Sequence, residues 1–128
     1  MARSGFNEWY AWQKGFRLAN SISKLARNRF PREEKYSLTD QVLRSSRATC
    51  ANMAEAFGKR RYPKHFVSKL TDAMSENFET QNWLQFAHAE GYIDEVTLNA
   101  YLDSSEEVGK LLNYMEHNSH QFTQQKSA

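Results

Sequence analysis

Apolar residues recur at three- and four-residue steps through four stretches of the chain, and the few helix breakers fall between them. In the first stretch, over about residues 7–28, Trp9, Trp12, Phe16, Ala19, Ile22 and Ala26 share one broad face of a helix, with Leu18 and Leu25 on its flank. Phe30-Pro31 ends it, because a residue before proline disfavours α geometry. The second stretch, about 39–57, carries a narrow stripe of Val42, Ser46, Cys50, Met53 and Phe57, with Ser37 or Thr39 available as its cap. Gly58 opens a connector, and Pro63 suits the first position of the next helix. The third stretch, about 64–90, presents Phe66, Leu70, Ala73, Met74, Asn77, Gln81, Leu84 and His88, and Gly91 is placed as its left-handed stop. The fourth, about 94–117, presents Leu98, Tyr101, Leu102, Val108, Leu112 and Met115, with Asp94 and Glu95 at the end where a helix favours negative charge.

Four amphipathic helices with short connections predict an all-α fold, an antiparallel up-down four-helix bundle over residues 1–117, followed by a flexible polar tail over 118–128. No period-2 run argues for a sheet. At 128 residues and 40% hydrophobic, one domain with a real core is expected. No apolar run reaches membrane-spanning length, and the first residues lack a hydrophobic signal core. Cys50 is the sole cysteine, so a reducing cytoplasm with no membrane association is the expected setting.

Charge changes this picture most. Residues 1–61 hold thirteen Lys/Arg against five Asp/Glu, a net of +8, whereas residues 62–128 hold four against ten, a net of −6. The overall +2 conceals this sorting. The basic arc of the first helix (Lys14, Arg17, Lys24 and Arg27) and the connector Lys59-Arg60-Arg61 are the candidate nucleic-acid contacts, acting on phosphates and so giving salt-sensitive, sequence-tolerant binding to RNA or DNA. No base-reading motif accompanies them. The same sorting would also let acidic helices of one subunit face basic helices of the next.

The catalytic candidates are weak. No Glu-x-x-His pair of the di-iron bundles occurs, and His65, His88, His117 and His120 are scattered, with His117-x-x-His120 at the tail. Cys50 lies on the core stripe, where a thiol is structural rather than nucleophilic. No glycine-rich phosphate loop is present. The chain is therefore expected to be no enzyme and to need no metal or cofactor. Arg44, Asn52, Glu55 and Glu79 form a candidate structural polar network off the main stripes. Trp83 and Phe86 lie off the core face of the third helix and are the candidate oligomer interface.

Beyond these patterns, the chain resembles a known family. The resemblance rests on Phe30-Pro31-x-x-Glu34-x-Tyr36-x-Leu38-x-x-Gln41, on Arg44, and on Asn52-Met53-Ala54-Glu55-Ala56, where Asn-Ile-Ala-Glu-Gly is usual. It continues through Phe66, Ser75 and Glu79 to Gly91-Tyr92-Ile93. In order and spacing these are similar to the 23S rRNA intervening-sequence proteins, related in fold to the accessory variability determinants of diversity-generating retroelements. The resemblance implies a four-helix protomer, a ring-shaped homopentamer, no catalysis, and a nucleic-acid role. By the retroelement relatives, it also implies an alternative role as an adaptor or scaffold for a polymerase or reverse transcriptase.

Overall fold

The computed structural model describes residues 3–123. Four helices, α1 (Tyr10–Arg29), α2 (Leu38–Gly58), α3 (Pro63–Ala89) and α4 (Glu95–His117), pack in cyclic order into a four-helix bundle, with α4 closing back on α1. No strand occurs among the described residues. Short 3-10 turns precede α1 (Phe6–Glu8), bridge α1 to α2 (Arg32–Glu34) and follow α4 (Ser119–Gln121).

Each helix stops for a local reason. Phe30 is extended ahead of Pro31 (φ −84°, ψ 138°). Gly91 is left-handed (φ 79°), which lets its N–H reach the His88 carbonyl and the Tyr92 N–H the Ala87 carbonyl, so two orphan carbonyls of α3 are satisfied. Asp94 caps α4 by accepting from the Thr97 N–H at 2.8 Å. The start of α2 departs from expectation, because neither Ser37 nor Thr39 caps it. Instead the Glu34 carboxylate reaches forward and accepts from the Leu38 N–H at 3.1 Å.

The core also differs in one respect. The buried face of α1 is Ala11, Gly15, Leu18, Ala19, Ile22, Leu25 and Ala26, whereas Phe16 is about half exposed and stacks on Trp12 at 4.7 Å. Small and aliphatic residues rather than aromatics set this face. A Cβ on Gly15 would lie 3.2 Å from the Cys50 sulfur, so α1 and α2 approach where only glycine fits without adjustment. The aromatics gather at one end instead. There the Trp9 ring makes edge contacts with Phe57, Phe66 and Phe122. Phe122 thus docks on the bundle, and residues 119–121 form a turn, where a frayed tail was expected from 118 onward. The rest of that expected tail, 124–128, lies outside the described residues.

Candidate nucleic-acid interface

α1 carries five Lys/Arg and no acid, and α4 beside it carries five Asp/Glu and one Lys. Part of the charge sorting is therefore spent inside one chain. Lys14 Nζ meets Glu107 Oε1 across the α1–α4 seam at 3.0 Å. Of the seven predicted contacts, Lys14 alone forms an ion pair among the described residues. Arg17, Lys24 and Arg27 stand exposed along α1. From Lys14 to Arg27 the stripe is about 20 Å long at helical rise.

The connector lies away from this stripe. Lys59 and Arg61 are exposed, while Arg60 is half-buried, lying 3.5 Å over the Phe57 ring and donating from Nε to the Phe57 carbonyl at 2.8 Å. Phe57 belongs to the aromatic end of the bundle, where α1 begins. The structure thus separates the connector from Lys24 and Arg27, which sit toward the other end of α1.

Between α1 and α4 runs a groove of about 390 Å³, lined by Lys14, Arg17, Leu18, Ser21, Ala100, Tyr101, Ser104 and Glu107. Its polar groups are held in place. The Ser21 hydroxyl and the Tyr101 hydroxyl lie 2.7 Å apart, and Tyr101 also donates to the Ser21 carbonyl at 3.3 Å. Sequence reasoning placed Tyr101 on the core face and did not single out Ser21, Ser104 or Glu107. The available signal was a tyrosine on an otherwise aliphatic face, since a phenol needs a polar outlet.

The predicted polar network is only partly assembled. Lys69 joins two of its members, reaching Glu55 at 3.4 Å and the Asn52 side-chain oxygen at 3.5 Å. Arg44 is exposed and pairs with Asp40 of its own helix at 3.2 Å. Glu79 is exposed, and the neighbouring Glu76 carboxyl is pushed above its ordinary range by burial and by Glu79. The buried polar layer lies elsewhere. Thr80 donates to the Ser45 hydroxyl (2.9 Å), and Asn77 and Ser105 exchange two hydrogen bonds of 2.9 Å. Gln81 donates to the Ser105 hydroxyl at 3.0 Å. These ties join α2 to α3 and α3 to α4 at mid-bundle.

Trp83 is partly buried against the core, and its indole N–H is buried with no acceptor among the described residues. Phe86, about half exposed, lies 5.8 Å from it. Cys50 is half-buried, and burial pushes its thiol up to about 11, which disfavours a thiolate near neutrality. Among the described residues, no three His, Cys, Asp or Glu side chains are grouped to hold a metal, and no helix is long and apolar enough to cross a membrane.

Four residues of the sequence resemblance, Phe30, Glu34, Leu38 and Tyr92, meet at the other end of the bundle. Glu34 accepts from the Tyr92 hydroxyl at 2.7 Å as well as from Leu38, and Phe30 packs on the Tyr92 ring at 5.7 Å. Those hydrogen bonds hold the Glu34 carboxyl below its ordinary range and push Tyr92 up to about 12. One clasp thereby ties the α1–α2 connection to the α3–α4 connection.

A four-helix bundle clasped in this way, with a basic helix set beside an acidic one, defines the class. The profile of the 23S rRNA-intervening sequence protein family matches residues 7–114, and the chain belongs to that family. It is similar to a crystal structure of a protein with unknown function from the S23 ribosomal protein family of Bacteroides thetaiotaomicron. The TM-score is 0.75 and the identity 26%, over 84% of this chain and 95% of that one. No curated protein matches the chain.

Proposed function

We propose that this protein is a non-enzymatic, oligomeric bundle that binds RNA or DNA phosphates through the exposed side of α1. The observation that carries the reading is a twenty-residue helix with five Lys/Arg and no acid, along which Arg17, Lys24 and Arg27 stay unpaired among the described residues. The family's name, with its reference to 23S rRNA, is consistent with a nucleic-acid setting. Filter binding of RNA and of DNA at two salt concentrations tests it. Binding should weaken steeply with salt, and the triple change of Arg17, Lys24 and Arg27 to Ala should lower the salt slope by up to about three. Changing Lys59, Arg60 and Arg61 to Ala should weaken binding further. Undetectable binding at low salt sinks the reading.

The reading includes an up-down arrangement of the helices. Contacts that pair rising residue numbers on one helix with falling numbers on the next support it, as in Lys14 with Glu107 and Ser21 with Tyr101. It also includes assembly into a ring homopentamer, supported by the exposed Phe86 and by the unpartnered indole N–H of the neighbouring Trp83. Sedimentation should show a species well above the 15.0 kDa protomer, and Phe86→Glu should shift it downward. A monomer at micromolar concentration removes the ring.

One observation favours a second reading, an adaptor for a polymerase or reverse transcriptase. Lys14 is already satisfied by a carboxylate, so the basic face can take acidic protein surface in place of phosphate. A reverse-transcriptase gene beside this one, together with co-purification of the two products, would favour the adaptor.

A further inference from the structure

The α1–α4 groove differs from a plain basic face. Cations line it at Lys14 and Arg17, Leu18 and Ala100 line it with apolar surface, and the Tyr101 ring is held in it by its hydroxyl bond to Ser21. A phosphate needs only the cations. An apolar lining beside an anchored aromatic ring suits the face of a base, because stacking on aromatic side chains is how unpaired bases are held without regard to sequence. The volume, about 390 Å³, falls within the range of small-molecule pockets. Lys24 and Arg27 then continue along α1 beyond the groove as contacts for the backbone on one side of it.

Glu107 is the component that fits a phosphate least. Its carboxylate repels a phosphate and holds Lys14, yet both partners are well exposed, at 40% and 54%, and exposed pairs of this kind are weak. An incoming phosphate can therefore take Lys14 from Glu107 at little cost. From this arrangement we propose that the α1–α4 groove receives one unpaired nucleotide, its base against Tyr101, Leu18 and Ala100 and its phosphate on Arg17 and Lys14, so that the protein prefers single strands to duplex. In a duplex the bases are stacked and paired, and only the phosphates of the same strand can reach α1.

This inference rests on the nucleic-acid reading above, and its test separates the two. Fluorescence anisotropy on the full chain at low salt compares a labelled single-stranded DNA of about 20 nucleotides with the same strand annealed to its complement. The single strand should bind about tenfold more tightly, the worth of one stacked base. Ala100 is exposed, so Ala100→Leu fills the groove without changing charge or the core. It should remove most of the single-strand preference and leave duplex binding within about twofold. Glu107→Gln frees Lys14 and should strengthen single-strand binding more than Glu106→Gln, which removes the same charge from the α3–α4 side of α4. Equal affinity for the two forms, an unaltered preference in Ala100→Leu, or equal gains from the two Gln variants overturns the groove while the basic-face reading stands. No binding to either form overturns both.

Discussion

Hydroxyls and amides occupy two places in this bundle, and their treatment is opposite. At mid-bundle Ser45, Asn77, Thr80 and Ser105 are at most 2% exposed, and each has a partner on a neighbouring helix. In the α1–α4 groove Ser21 and Ser104 remain exposed beside half-buried Tyr101 and the Lys14–Glu107 pair. The same chemistry is closed upon itself in one layer and left accessible in the other. Inside, a polar atom without a partner is costly, so the layer specifies how the helices register. Outside, water can replace any partner, so the groups contribute little to stability and are available to a ligand.

The sharpest way to break this contrast is to put a charge in the closed layer. Asn77 is 2% exposed, donates to the Ser105 carbonyl and accepts from its hydroxyl. Asn77→Asp removes the donor and sets a carboxylate against that carbonyl. We expect about 3–5 kcal/mol of destabilisation in urea titrations at neutral pH, the cost of an uncompensated buried charge. Burial raises the folded-state pKa of the new carboxyl, so stability should recover as pH falls through that raised value and the group becomes neutral. A loss below about 1 kcal/mol would mean that water reaches the layer.

A smaller effect isolates one bond of the same layer. Thr80→Val and Ser45→Ala each delete one hydroxyl of the pair joining α3 to α2. A double-mutant cycle between them should give a coupling of about 1 kcal/mol. No coupling would show that the helical back-bonds of these residues, from Thr80 to the Glu76 carbonyl and from Ser45 to the Val42 carbonyl, satisfy both hydroxyls alone.

Much of this was legible from the sequence, for reasons that differ by residue. Pro31, Pro63 and Gly91 act on the backbone directly, so the stops between helices could be read without knowing what packs on what. Large aliphatics such as Ile22, Leu70, Leu84 and Leu112 lie inside as their spacing indicated. Phe16 misled because periodicity weights bulk, whereas the close approach of α1 to α2 is made at Gly15, which does not register as apolar. The polar network was sought in Arg44, Asn52, Glu55 and Glu79, three of them charged, but the buried layer uses neutral hydroxyls and the Asn77 amide, which cost far less to bury. The basic arc of α1 was visible in the sequence. Its neutralisation at Lys14 was not, because that depends on α4 lying beside α1, a fact of tertiary packing.

The clasp between connections responds to acid. The Tyr92 hydroxyl and Leu38 N–H hold Glu34 below its ordinary pKa, and the Thr97 N–H does the same for Asp94. Both groups bind protons more weakly folded than unfolded, so their stabilisation is full above the unfolded carboxylate range. It is lost as pH falls through that range toward the lower folded-state values. Melting temperature should therefore drop on acidification, and Glu34→Gln should flatten the drop. An unchanged pH profile in that variant would assign the acid response elsewhere.

The smallest expected effect probes the open side of the comparison. Lys14 and Glu107 form the shortest ion pair among the described residues, at 3.0 Å, yet distance is a poor guide to its worth. Both ends are hydrated, and ordering two long side chains offsets most of the Coulomb gain. A cycle of Lys14→Ala and Glu107→Ala should give a coupling of about 0.5 kcal/mol, fading toward zero near 1 M salt, where screening acts over about 3 Å. A coupling above about 1.5 kcal/mol that survives salt would make this pair a structural tie of the same kind as Asn77 and Ser105. The two layers would then no longer differ in kind, and Lys14 would not be free for a phosphate. A weak, salt-sensitive coupling keeps the difference, because only a cheaply broken pair can yield its lysine to a ligand.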